Sequence, residues 1–268
     1  MQQSTMRYRR LFCFAVLAIL SSGLSPLRAA VKLLLRDGRP VADGIYVNGH
    51  GPFRFLIDTG SNINLIQDDL AANIGMASGF TVEMASAAGK TSLAGSDSNQ
   101  IVLDTASATG QRFLFSSLKV IHRQSPDVQG VLGQWFLSGF DYSLDLKARR
   151  LDFGPQIVSG TRIVFRNVNA RPVFTTSLGE LALDSGQPIL VLFGTAPPLA
   201  NYRLLTLAGA QTVGAIEGKR LTIQGKAYGS GQALAVPARP EDGVDGLMPI
   251  SLFQSIYICN SRGFAVFR

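Results

Sequence analysis

Two short stretches hold the residue types needed for acid–base chemistry. "FLIDTGSN" places Asp58 after Phe55, Leu56 and Ile57, and "LALDSGQP" places Asp184 after Leu181, Ala182 and Leu183. A carboxylate at the end of an apolar run costs on the order of several kcal/mol to bury unless it is paired or hydrogen-bonded. Two such groups brought within a few ångströms of each other cannot both ionise readily, so they share one proton. The charged member can then take a proton from water while the neutral member donates one to a carbonyl oxygen. That is general acid–base hydrolysis of an amide, with no covalent intermediate. Gly60 and Gly186 allow tight turns that aim N–H groups at the carboxylates. Thr59 and Ser185 add hydroxyls able to bond from one turn to the other.

The elements that must position these turns are strands. "VKLLL" (31–35), "IYV" (45–47) and "FRFLI" (53–57) are separated by "RDGRP" and by the Asn48-Gly49 hairpin signal. Alternation puts Phe53, Phe55 and Ile57 on one face and Arg54, Leu56 and Asp58 on the other. "LIQDDLAANIG" predicts a short helix with Leu65, Leu70 and Ile74 on one face and Gly75 as its stop. Residues 76–100, rich in Ala, Ser and Gly, predict mobile hairpin material. Strands resume at "IVLD" and "RFLFSSLKVI". "YSLDLKARRLDF" (142–153) predicts a hairpin turning near Lys147-Ala148, and 154–160 a linker.

The second half repeats the first in reduced form. "LIDTG" matches "LALDSG", "GVLG" (130–133) matches "GLMP" (246–249), and the closing hairpins 142–153 and 256–267 are equally long. The Asp-Gly dipeptides at Asp37, Asp43, Asp242 and Asp245 read as ordinary turns.

Composition sets outer limits. With 46% hydrophobic and 16% charged residues among 268, the chain can bury a sizeable core. Arg7, Arg9 and Arg10 precede the apolar run "LFCFAVLAIL" (11–20), followed by small residues ending at Ala29-Ala30. This is the order of a secretory signal peptide, and its core is short for a membrane span. A retained anchor is the alternative. Cleavage after residue 30 removes four arginines and no acid, lowering the net charge from +7 to +3. No basic stripe interleaved with aromatics remains, so nucleic acid is not an expected partner. Cys259 is then the single cysteine, which excludes an internal disulfide and predicts a buried thiol.

Together "FLIDTGSN", "GVLG", "LALDSG" and "GLMP" resemble the aspartic peptidases of the pepsin and retropepsin group. "VNGHGPFRFLIDTGS" is similar to bacterial secreted or periplasmic members. The resemblance implies a mostly β fold of two pseudo-symmetric barrel lobes with a cleft between them, residues 31–155 and 156–268 after a signal peptide at 1–30. It implies catalytic Asp58 and Asp184, supported by Thr59, Gly60, Ser61, Ser185 and Gly186. It further implies a flap at 83–97 with a counterpart at 213–231, and a peptide or unfolded-protein substrate. Neither metal nor other cofactor is expected. A monomer in the periplasm or outside the cell is expected. The sequence departs from the pattern at Gln187, where Ser61 stands in the first half, and at Pro249, where the first half has Gly133. Ser61 is expected to bond the outer oxygen of Asp58. The departures leave open a weak or inactive relative that binds peptide between its lobes.

Other chemistries fit less well. His50 and His122, the only histidines, lack ligand spacing, and no G-x-S-x-G is present. His50 reads as a solvated turn residue. "AAGKTS" (87–92) lacks the earlier glycine of a phosphate loop, and Trp135 reads as core.

Overall fold

A computed structural model describes residues 30–86, 89–206, 209–237 and 243–268. The expected signal peptide therefore lies outside the described residues, apart from Ala30. The first half runs β1 (Val31–Arg36), β2 (Arg39–Val47), β3 (His50–Ile57), β4 (Leu65–Gln67), α1 (Asp68–Asn73), β5 (Phe80–Ser86), β6 (Gly89–Leu103), β7 (Ala106–Ser116), α2 (Lys119–His122), β8 (Gly130–Leu132), α3 (Gln134–Leu137), β9 (Tyr142–Asp145) and β10 (Arg150–Phe153). The second runs β11 (Ile163–Val164), β12 (Arg166–Val168), β13 (Arg171–Thr176), β14 (Gly179–Asp184), β15 (Leu190–Phe193), β16 (Ala200–Thr206), β17 (Gly209–Ile223), β18 (Lys226–Val236), β19 (Gly246–Pro249), a 3-10 turn at Ile250–Leu252, β20 (Ser255–Cys259) and β21 (Phe264–Phe267). The protein is mostly β. Among the described residues no helix is long and apolar enough to cross a membrane.

Pairings recur between the halves. β3 lies parallel to β8 with Ile57 opposite Leu132, and β14 lies parallel to β19 with Leu183 opposite Met248. β4 is antiparallel to β8 and parallel to β7; β15 is antiparallel to β19 and parallel to β18. β5, β6 and β7 have 7, 15 and 11 residues, and so do β16, β17 and β18. The closing hairpins join, because β20 pairs with β9, so second-half strands extend the sheet of the first half.

The strands before each Asp are anchored by burial. Phe55 and Ile57 of β3 lie in a core cluster that also holds Leu181 and Leu183 of β14, so one apolar body runs through both halves. Leu56 points the other way, into a smaller cluster with Val41, Leu65 and Val131. Each such side chain contributes about 1.5–3 kcal/mol on full burial, which holds the turn after it to a rigid base.

Several expectations need correction. Leu65 belongs to β4 and only Asp68–Asn73 is helical, with Gly75 at φ +72 ending the turn as expected. Residues 76–100 are mainly the paired strands β5 and β6, because Phe80, Val82 and Leu93 find apolar partners that composition did not reveal. The counterpart of the β5–β6 hairpin is β16–β17, whose strands pair from Ala200 to Ala215; residues 213–231 instead belong to β17 and β18, whose hairpin turns at Gln224-Gly225. Asp37-Gly38 is a turn. Asp43-Gly44 forms a bulge inside β2, where Gly44 has φ +88. Asp245 is a latch, its Oδ2 accepting the Glu180 N–H at 2.8 Å. Asp242 lies outside the described residues.

Candidate active site

Asp58 follows β3, and Asp184 is the last residue of β14. At each turn the backbone folds back on its own carboxyl. Asp58 Oδ1 accepts the N–H groups of Gly60 (3.0 Å) and Ser61 (3.1 Å). Asp184 Oδ1 accepts those of Gly186 (2.7 Å) and Gln187 (3.1 Å). Gln187 therefore repeats the backbone role of Ser61. The Ser61 hydroxyl does not reach Asp58; it donates to the Ile63 carbonyl at 3.0 Å, a local turn bond that competes successfully for it.

The two turns are locked to each other through buried hydroxyls. Ser185 Oγ accepts the Thr59 N–H at 2.9 Å and donates to the Ile57 carbonyl at 2.5 Å. Thr59 Oγ1 accepts the Ser185 N–H at 3.0 Å and donates to the Leu183 carbonyl at 3.0 Å. Every donor and acceptor in this square is used, so burial of Thr59 and Ser185 leaves nothing unmatched.

This lock sets the carboxyls face to face, within hydrogen-bonding reach of each other. Each lies over the glycine of the opposite turn. A Cβ on Gly60 would stand 2.7 Å from both Asp184 oxygens, and one on Gly186 2.5 Å from Asp58 Oδ2. Glycine is needed at both places for this close approach, not for φ.

The electrostatics follow from burial. Loss of solvent raises both carboxyls above their ordinary range. For Asp58 the Gly60 and Ser61 N–H groups offset part of that rise, and the Arg39 charge helps. For Asp184 the facing Asp58 charge adds to burial, keeping its proton on well above the usual carboxylate range. The pair thus favours a single proton shared between the two carboxyls.

Three residues near the turns were not read from the sequence as site residues. β2–β3 pairing sets Val41 opposite Leu56, and continuing it brings Arg39 level with Asp58. Arg39 bonds Gln124 and leaves its buried Nε without a partner. The Asp43-Gly44 bulge hides this register in the sequence. Asn64 accepts the Gly133 N–H at 3.0 Å and donates to the Arg112 carbonyl at 3.0 Å. Gln134 donates to the Thr59 carbonyl at 2.8 Å; its place after "GVLG" was the available signal. His50 is exposed as expected, while His122 Nε2 bonds the Val128 carbonyl at 2.8 Å. The Cys259 thiol is buried, donating to Asp141 Oδ2 at 3.4 Å. Among the described residues no group of three or more His, Cys, Asp or Glu is placed to hold a metal.

Compared with protein families, residues 44–136 match the aspartyl protease family. The match covers about a third of the chain, including Asp58, Thr59, Gly60 and the Gly130–Phe136 segment, and stops before the second Asp turn. It supports an aspartyl protease family and hydrolysis of peptides. No curated protein matches the chain.

Proposed function

We propose that this chain is an aspartic endopeptidase of the bilobal pepsin and retropepsin type, with Asp58 and Asp184 as its catalytic pair. The observation that carries the reading is the approach of two buried carboxyls, each over the other turn's glycine, held by the Thr59–Ser185 lock. In the proposed reaction a water bound between the carboxyls loses a proton to Asp58 as its oxygen attacks the peptide carbonyl carbon. Asp184 gives its proton to the carbonyl oxygen, forming a neutral gem-diol. Asp184 then takes a proton back from one hydroxyl, and Asp58 delivers its proton to the amide nitrogen as the C–N bond breaks. Acid and amine products leave, and the pair returns to one shared proton.

The recurrence of pairings and strand lengths supports two lobes, 31–155 and 156–268. An extended peptide would lie between the β5–β6 and β16–β17 hairpins, captured as an added strand. The N-terminal charge and apolar pattern supports export to the periplasm or beyond, and two Asp turns in one chain support a monomer. A peptide-binding relative with weak or no catalysis is the second reading. Pro249, which stands opposite Asp184 where Gly133 follows Leu132 in the first half, favours it.

The test is a peptide-library digest between pH 4 and 7 with the protein, Asp58→Asn and Asp184→Asn. Cleavage by the parent and none by either variant is expected, with chelators having no effect. Cleavage retained by either variant refutes the pair.

A further inference from the structure

The Asp58 turn has a support that the Asp184 turn lacks. Gln134 is fully buried and holds the turn twice: its N–H donates to the Ser61 carbonyl at 2.8 Å and its Nε2 to the Thr59 carbonyl at 2.8 Å. Its Oε1 is buried without a hydrogen-bond partner, and so is the hydroxyl of the fully buried Tyr142 beside it. A small rotation that lets the Tyr142 O–H donate to Gln134 Oε1 would satisfy both. Burial keeps the phenol protonated, so it is a donor at any working pH.

The pair is confined to the first half. Gly133 follows Leu132, which faces Ile57; Pro249 follows Met248, which faces Leu183, so Ile250 corresponds to Gln134. Tyr142 pairs with Phe153 in the first closing hairpin and Ile256 with Phe267 in the second, so Ile256 corresponds to Tyr142. Both polar members are therefore replaced by buried isoleucines, which offer the Ser185 carbonyl no donor. Polar groups stand together in one half, and apolar groups together in the other.

We infer that Gln134, braced by Tyr142, is a positioning residue that keeps the Gly60 and Ser61 N–H groups on Asp58 and so commits Asp58 to the role of base. Anchoring the Thr59 carbonyl fixes the peptide plane that carries the Gly60 N–H, and anchoring the Ser61 carbonyl holds the chain just beyond the Ser61 N–H; those two N–H groups are what favour the ionised carboxyl. Charged groups facing Asp58 are Asp184 and, from β2, Arg39. Neither is altered by replacing Gln134. The inference rests on the Asp58/Asp184 reading.

The decisive variant is Gln134→Ile/Tyr142→Ile, which gives the first half the residues of the second and leaves neither buried polar side chain unmatched. The readouts are kcat, KM, the pH profile, and carbon-13 NMR titration of the aspartate carboxyls, which needs no turnover. We expect the variant to fold, with kcat down about tenfold to a hundredfold and KM within about twofold. We also expect the Asp58 carboxyl to titrate at higher pH. Wild-type kcat with an unmoved Asp58 titration overturns the inference. Tyr142→Phe, which keeps the ring, should move the titration the same way by less; no movement there overturns it if the double variant fails to fold. A parent protein without peptidase activity would refute the proposed function while the titration still tests Gln134.

Discussion

Replacing Asp184 by Asn should destroy hydrolysis and stabilise the fold, and the second effect measures the site. Asn keeps the shape and an oxygen to accept the Gly186 and Gln187 N–H groups. It removes only the ability to ionise. Asp184 is 5% exposed, and burial followed by the facing Asp58 charge raises its pKa well above 3.8. The folded protein therefore binds a proton that the unfolded chain releases. Below the unfolded value both states hold that proton and nothing is lost. As pH rises above it, wild-type stability falls by up to about 1.4 kcal/mol per pH unit. The fall ends once pH passes the raised folded value. Asp184→Asn loses this contribution and keeps only that of Asp58, so its advantage should widen with pH across that window. For a chain of this size about 1 kcal/mol corresponds to roughly 2–4 °C in Tm. The gap between variant and wild type should then grow by up to roughly 3–6 °C per pH unit. Thermal melts in one buffer series from pH 3 to 8 would read it. A constant gap, or wild type the more stable at pH 7, would refute the claim that a buried carboxyl pair shares a proton here.

Other expectations follow from the same geometry. The bell-shaped activity profile should have its acid limb above pH 3.8, because burial raises Asp58 too; a limb at or below that value would contradict its surroundings. Arg39→Met removes a charge that favours ionised Asp58 and should move that limb to higher pH, read from kcat/KM against pH. Thr59→Val strands the Leu183 carbonyl and Ser185 N–H, at about 1–3 kcal/mol each, and denaturant melts should show the loss. Gly60→Ala or Gly186→Ala drives a methyl into the facing carboxyl and should abolish activity; full activity in either would mean the carboxyls do not meet as described.

Much of the layout was legible because its signals are local. Apolar runs, Asn48-Gly49 and the equal closing hairpins predicted strands and turns that the structure contains, except that the end of "RFLFSSLKVI", from Lys119, is the short helix α2 rather than strand. Residues 76–100 misled because pairing partners, not composition, make β5 and β6 strands. The counterpart hairpin was misplaced for a related reason: β17 is one long strand serving two hairpins, pairing with β16 in one part and β18 in the other. Ser61 was assigned to Asp58 by residue type, but its hydroxyl had a nearer acceptor in the Ile63 carbonyl.

Sequence alone determined which carboxyls were candidates, because an acid after a buried run, followed by a small hydroxyl residue and glycine, has few other uses when it occurs twice. Only the tertiary structure decided that the two turns face each other, that Ser61 and Gln187 act through their backbone, and that Arg39 and Gln134 stand beside the first turn alone. Those contacts join residues far apart in the chain, and their strength depends on water having been excluded around them. Neither long-range proximity nor loss of solvent is written in any local stretch of residues.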